Sequence, residues 1–200
     1  MNQPYITILT PAYNRASLLP RLFGSLLRQT NKNFEWIVVD DGSTDDTREV
    51  LASLKQRCGD AFPMTCIYKA NGGKHMAINI GAERARGELL FIADSDDLLT
   101  DDALQVVAEE WQNVSGDESF AGVAGLDMAL DTKKVIGSGL PCDHIDCNAI
   151  DIRCRHHVTG DMKEVFRTKV LREFPFPEFQ GERFCPEQLV WFRIARRYRL

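Results

Sequence analysis

The 200-residue sequence predicts an α/β fold in which a mainly parallel central sheet is flanked by helices. Three observations predict it. Four strand–loop–helix units follow one another along roughly the first half of the chain, the rhythm of a parallel sheet with crossover helices. The strand candidates are continuous apolar runs, as expected of a sheet covered on both faces. Each of them ends in a polar loop, and in an open parallel sheet those carboxyl ends form the ligand crevice.

The first unit opens on Ile6-Thr-Ile-Leu-Thr10, a β-prone run that gives way to the turn signal Pro11-Ala-Tyr-Asn14. Leu18, Leu19, Leu22, Phe23, Leu26 and Leu27 then recur at helical spacing, with Ser17 as the expected cap. Phe34-Glu-Trp-Ile-Val-Val39 is the second strand. It runs into Asp40-Asp-Gly-Ser-Thr-Asp45 and a helix carrying Val50, Leu51 and Leu54. Met64-Thr-Cys-Ile-Tyr68 is the third strand and ends at Asn71-Gly-Gly-Lys74. The helix with Met76, Ala77, Ile80 and Ala82 is expected to stop near Gly87, a common terminator. Leu89-Leu-Phe-Ile-Ala93 is the fourth strand, and it delivers Asp94, Asp96 and Asp97 at its end.

Beyond about Phe120 the rhythm weakens. Ala121-Gly-Val-Ala-Gly-Leu126 reads as a strand and Glu164-Val-Phe-Arg167 as a short one. A last helix is expected to open at Pro186, a favoured first helical position, and to reach Leu200 without a stop signal, so that the natural chain continues. The organisation expected is one domain, with residues 1–100 as one half and residues 120–200 as a smaller second half.

Hydrophobic residues make up 44% and charged residues 26%, the balance of a globular chain. The formal net charge of -5 weighs against a nucleic-acid partner held through a broad basic face. No apolar stretch approaches the ~18 residues that cross a bilayer, and the first strand begins too early for a signal peptide. A cytoplasmic protein is expected. The six cysteines then read as free thiols. Cys142, Cys147 and Cys154, near His144, His156 and His157, lack the paired spacing of zinc knuckles. Arg193, Arg196, Arg197 and Arg199 of the final helix suit either peripheral contact with anionic lipid on the inner membrane surface or a solvated helix C-terminus.

The acidic turn Asp94 to Asp97 carries the chemistry. Crowded, partly dehydrated carboxylates repel one another. A divalent cation with a taste for hard oxygen ligands, Mg²⁺ or Mn²⁺, relieves that repulsion. The alternative is a capped turn satisfying backbone donors. A cation there would let an acidic crevice accept a diphosphate and would stabilise it as a leaving group. Asp40 and Asp41 suit sugar hydroxyls or a base N–H, or else a strand-to-helix cap. Asn71-Gly-Gly-Lys74 lets backbone approach phosphate, with Lys74 adding charge. It is not a Walker loop, because His75 follows the lysine, and no Gly-x-Gly-x-x-Gly follows the first strand.

Five motifs in order resemble the family 2 glycosyltransferases of GT-A fold: Thr10-Pro-Ala-Tyr-Asn14, Val39-Asp-Asp-Gly-Ser-Thr-Asp45, Asn71-Gly-Gly with Ala77-Ile-Asn79, Ala85-Arg-Gly-Glu88, and Asp94-Ser-Asp-Asp97. A looser likeness to bacterial cell-surface polysaccharide enzymes continues through Gly160-Asp161 and Phe176-Pro-Glu178 to Gly181-Glu-Arg-Phe-Cys-Pro-Glu187. The resemblance implies a Rossmann-like GT-A fold. It also implies a metal-dependent, inverting hexosyl- or N-acetylhexosaminyltransferase. The donor would be a nucleotide-diphosphate sugar, usually a UDP-sugar, and the acceptor a hydroxyl of a glycan or lipid-linked molecule. By the same resemblance the nucleotide pocket takes in Thr10, Pro11, Ala12, Tyr13, Asn14 and Arg15, with Asp41 on the uracil. Gly73, Lys74 and Asn79 would contribute to the donor site. Asp94 and Ser95 would reach the donor, and Asp96 the Mn²⁺ or Mg²⁺. The family's base is often the Asp of a Glu-Asp pair. Here Pro186-Glu187 stands in that place, making Glu187 the expected base, with Glu182 and Asp161 as competitors. Two other readings remain at this stage. A sugar-phosphate nucleotidyltransferase would want a Gly-rich basic loop after the first strand, and a nucleotide-sugar-binding fragment would bind donor without turnover.

Overall fold

A computed structural model describes residues 3–200. Six strands form one sheet: β1 (Ile6–Ala12), β2 (Phe34–Asp40), β3 (Met64–Tyr68), β4 (Leu89–Ile92), β5 (Gly122–Leu126) and β6 (Met162–Arg167). Their spatial order is β3-β2-β1-β4-β6-β5. The first four are parallel, β6 runs antiparallel to β4, and β5 runs antiparallel to β6. The helices are α1 (Leu19–Arg28), α2 (Thr47–Cys58), α3 (Lys74–Arg84), α4 (Ala103–Val114), α5 (Asp151–Cys154), α6 (Thr168–Glu173) and α7 (Gln188–Ala195).

β1, β2 and β4 are buried on both faces, as the continuous runs predict, because successive side chains point to opposite sides; β3, at the sheet edge, leaves Thr65 and Tyr68 exposed. Ile8, Trp36, Val38, Phe91 and Val165 share one core with Leu22, Phe23 and Leu26 of α1 and with Leu104 and Trp111 of α4. Leu9, Ile37, Val39, Ile92 and Phe166 share the other with Ala77 and Ile78 of α3, Leu171 of α6 and Trp191 of α7. The result is a three-layer α/β/α arrangement whose parallel strands all deliver their carboxyl ends to one edge.

Several boundaries differ from the sequence expectation, each for a local reason. β1 continues through Pro11 and Ala12, opposite Val39 and Asp40. The Leu9 carbonyl accepts from Ala93 and the Ala12 carbonyl from Asp41, so Pro11 faces the β4 side, past the last β1–β4 pair at Leu9. A missing N–H therefore breaks no ladder bond there. Ser17 does not cap α1. The amides of Leu18 and Leu19 donate to the Arg15 carbonyl instead, and Pro20 occupies the first turn. Gly87 is not the stop of α3, which ends at Arg84. Its amide donates to Thr7 Oγ1 at 2.9 Å, and a Cβ at this position would lie 2.5 Å from the Thr7 nitrogen.

The final helix starts at Gln188, with Glu187 as its N-cap, and stops at Ala195. The chain then turns to the sheet edge. Arg199 donates its amide to Ser119 and accepts from Ala121, satisfying backbone groups that a longer helix would leave open. Its arginines are anchored apart: Arg193 on the Pro175 carbonyl, Arg197 on Glu173 and Arg199 on Asp117. Among the described residues no helix is long and apolar enough to cross a membrane.

The Ala85-Arg-Gly-Glu88 motif is explained by folding. Glu35 on β2 is buried, and its carboxylate accepts from Thr7 Oγ1 at 2.8 Å, from the Arg86 amide at 2.7 Å and from Arg86 Nε at 2.8 Å. Glu88 accepts from the Trp111 indole at 2.8 Å. Arg86→Ala is expected to strand the Glu35 charge and to destabilise the fold by about 3 kcal/mol, measured by urea unfolding. A loss under about 0.5 kcal/mol, the range of ordinary surface changes, would contradict this role.

Candidate active site

Four loops meet at the carboxyl edge of the sheet. After β1, Asn14 takes a left-handed backbone conformation with φ of 54°, which asparagine tolerates. Its Oδ1 accepts from the Thr44 amide at 2.8 Å, and its own amide donates to Ser43 Oγ at 2.9 Å. Arg15 donates its amide to Thr47 Oγ1 at 2.8 Å. The β1 and β2 loops are thereby stitched together, leaving Tyr13 exposed. Thr10 lies inside the sheet, where its hydroxyl accepts from the Trp36 indole at 3.0 Å; Ala12 is likewise buried.

After β2, the two acidic residues divide. Asp40 serves the turn by accepting from the Ser43 amide at 3.0 Å. Asp41 is buried and reaches across to the β3–α3 loop. It accepts from the Gly72 amide at 2.9 Å and the Gly73 amide at 2.7 Å, and it pairs with Lys69. Asn71 Nδ2 approaches its second oxygen at 3.3 Å. With about four acceptor positions on a carboxylate, Asp41 is engaged as a clamp on that loop.

The clamp sets up the start of α3. Gly73 has φ of 101°, and a Cβ there would lie 2.1 Å from the Arg183 carbonyl. Only glycine lets the Arg183 segment approach so closely. Asn79, further along α3, holds the adjoining stretch. It accepts from the Phe176 amide at 2.9 Å and donates to the Phe176 carbonyl and to Glu178. The loop before α7 is thus brought onto the β3–α3 loop.

Lys74, immediately after Gly73, joins the two ends of the site. Its Nζ lies 2.7 Å from Asp94 Oδ1 and 2.8 Å from Glu187 Oε1. Burial works against the Lys74 charge. The two carboxylates outweigh it and hold the ammonium above the ordinary lysine value. Glu182, by contrast, turns back on its own loop and accepts from the Arg183 and Phe184 amides, while Asp161 is exposed.

The acidic turn itself is closed by Asp97, whose amide donates to the Asp94 carbonyl at 3.1 Å and whose Oδ2 accepts from the Asp94 amide at 3.3 Å. Ser95 is buried and Asp96 is exposed. A second lysine, Lys163 on β6, reaches the turn with Nζ 2.7 Å from Asp97 Oδ2. Lys163 is missed by sequence reasoning. Phe91 pairs with Val165, so the antiparallel register carries Lys163 alongside the end of β4, a long-range consequence with no local signature.

Among the described residues no three His, Cys, Asp or Glu side chains converge as a metal cage, and all six cysteines are free. Mg²⁺ and similar ions are commonly held by one or two carboxylates, with substrate phosphate and water completing the shell. An exposed Asp96, free of ion-pair partners among the described residues, fits that mode. Asp94 and Asp97 are already engaged by lysines.

Glu164 on β6 is the second residue that sequence reasoning missed. Burial pushes its carboxyl up to about 7, and the charge of Glu187 adds to the shift. The folded state therefore binds a proton more tightly than the unfolded chain. The resulting stability is complete below the ordinary glutamate range and is lost as pH rises through about 7. Glu164→Gln is expected to raise the melting temperature at pH 8 and to leave it nearly unchanged at pH 4. Thermal melts at the two pH values check this, and a difference independent of pH would refute it.

A cavity of about 870 Å³ adjoins the turn. Asp96, Asp97, Lys163 and Glu164 line it together with apolar side chains such as Val106, Val123 and Ile136.

Comparison with known proteins gives a consistent picture. The family described as Glycosyl transferase family 2 matches residues 7–121. An uncharacterized glycosyltransferase of Nostoc sp. is 36% identical over 107 residues, which is 54% of this chain and 33% of the relative. Residues 1-349 of S. aureus TarS, solved in complex with UDP, superpose with a TM-score of 0.72 at 21% identity, covering 98% of this chain and 57% of that 1-349 piece. The mannosyltransferase PcManGT from Pyrobaculum calidifontis, in complex with GDP-Man and Mn²⁺, gives 0.71 at 21% identity, covering 100% of this chain and 54% of that protein. The chain spans about a third of that curated relative and little more than half of each solved structure.

Proposed function

The chain belongs to glycosyl transferase family 2 and has the GT-A fold, and from that premise we propose that it transfers a sugar from a UDP-sugar to an acceptor hydroxyl with inversion. The observation that carries this reading is the Lys74 bridge, which brings the donor-side Asp94 and the helix-capping Glu187 to one ammonium. A transferase needs a donor site and a base within reach of one reacting carbon, and the bridge holds Asp94 and Glu187 close to each other. A nucleotidyltransferase would need a basic Gly-rich loop after β1, and Pro11 to Arg15 is not one.

In the proposed mechanism the nucleotide lies over the β1 and β2 loops, with Tyr13 exposed to pack against it. Lys74 attracts the diphosphate. Glu187 accepts the proton of the acceptor hydroxyl as that oxygen attacks the anomeric carbon, and the bond to the UDP oxygen breaks on the opposite face. Glu187 occupies the N-cap position of α7, with its side chain free of the helix amides. Asp96 is the residue that would hold Mn²⁺ or Mg²⁺, which when bound supplies Lewis-acid stabilisation of the leaving diphosphate. The Mn²⁺ in the PcManGT complex supports the use of a divalent ion by this fold. The cavity beside the turn supports an acceptor with both apolar and polar parts, such as a lipid-linked glycan.

Calorimetric titration with UDP, GDP and CDP, each with Mn²⁺, tests the donor. UDP is expected to bind at least tenfold tighter than the other two. Equal affinities, or no binding of any of them, would defeat the reading.

A further inference from the structure

Lys163 stands in an unusual place for a lysine of a metal-using site. Its Nζ is 2.7 Å from Asp97 Oδ2, 3.7 Å from Asp94 Oδ2 and 4.0 Å from Asp127 Oδ2. Three carboxylates from two chain segments thus surround one ammonium, and the side chain retains only 26% of its exposure. Asp96 is left outside this cluster and exposed. Lys163 is far from a loose surface cation: the β4–β6 register fixes its position.

We propose that Lys163 is the resident counter-cation of the acidic turn. It keeps Asp94, Asp97 and Asp127 together when no divalent ion is bound, and it weakens the binding of a free divalent ion beside Asp96. This rests on the metal role given to Asp96 above. The physical reason is simple. Without Lys163, Asp97 and Asp127 would lose their ion-pair partner among the described residues and would repel each other and Asp94, which keeps Lys74. A fixed ammonium removes that repulsion, and it also repels an incoming divalent ion. A nucleotide diphosphate brings the negative charge that restores the balance, so metal and donor are taken up together. Lys74 has a different task, since it reaches Glu187 and Lys163 does not.

The test uses Mn²⁺ alone, titrated into the whole chain and followed by the electron paramagnetic resonance of free Mn²⁺. Without nucleotide, Lys163→Met is expected to bind Mn²⁺ about tenfold tighter than wild type, and Lys163→Arg to bind it as wild type does. Lys163→Gln serves as a second neutral variant, with thermal melts confirming that each protein is folded. Adding Asp96→Ala to Lys163→Met is expected to abolish the gain. Mn²⁺ binding by both neutral variants that is no tighter than wild type, including no binding by any of them, would overturn the proposal. So would a gain that survives Asp96→Ala. The metal reading fails separately, if wild type binds UDP equally with and without Mn²⁺; a gain through Asp96 in Lys163→Met would still support the counter-cation.

Discussion

Glu187→Gln is expected to lower sugar transfer by roughly 10²–10⁴-fold while leaving UDP affinity nearly unchanged. The substitution keeps the shape of the side chain and removes its charge and its ability to take a proton. Glu187 caps α7, and the amides of Val190 and Trp191 bond to its backbone carbonyl, so the helix does not depend on the carboxylate. Lys74 loses one of two partners and keeps Asp94. The donor side of the site is therefore preserved, and the loss falls on the chemical step. Transfer within threefold of wild type would remove Glu187 from the mechanism and return attention to Asp161 and Glu182.

Asp96→Ala is expected to abolish the Mn²⁺ dependence of UDP binding, with calorimetry in the presence and absence of the ion as the check. Asp96 is exposed and has no ion-pair partner among the described residues. Its removal disturbs no bond that holds the turn, since Asp94 and Asp97 close it between them. The fold should be unaffected within about 0.5 kcal/mol, as for ordinary surface changes. Wild type binding UDP equally with and without Mn²⁺ would contradict the metal role outright. A variant that retained the full Mn²⁺ effect would move the ion to another carboxylate.

The parallel half of the sheet is legible in the sequence because its signals are local. Apolar strands, polar loops and helical spacing recur within each unit, and every one of the first four strands is found where it is expected. The crevice loops follow from topology alone. The second half is less legible because its elements depend on distant partners. The stop of α7 at Ala195 is set by the strand edge at Ser119 to Ala121, and the length of β6 by its pairing with β4 and β5.

The site divides in the same way. Asp94, Asp96 and Glu187 are chemically conspicuous, and the structure gathers Asp94 and Glu187 on Lys74. Thr10, Asn14 and Asn79 carry motif positions, but their polar groups join pieces of the chain to one another. Asp41 is similar, holding the loop that aims Lys74. The motifs thus record loop construction as much as ligand contact. Lys163 and Glu164 carry no motif at all. Their importance comes from an antiparallel register between residues more than seventy positions apart.

The most direct test is UDP release from a panel of UDP-sugars in Mn²⁺, with wild type and Glu187→Gln side by side and a glycan or lipid-linked acceptor present. The expected result is release from at least one donor by wild type and its near loss in Glu187→Gln, which still binds UDP. Equal release by the two proteins, or no release from any donor by wild type, would contradict the account.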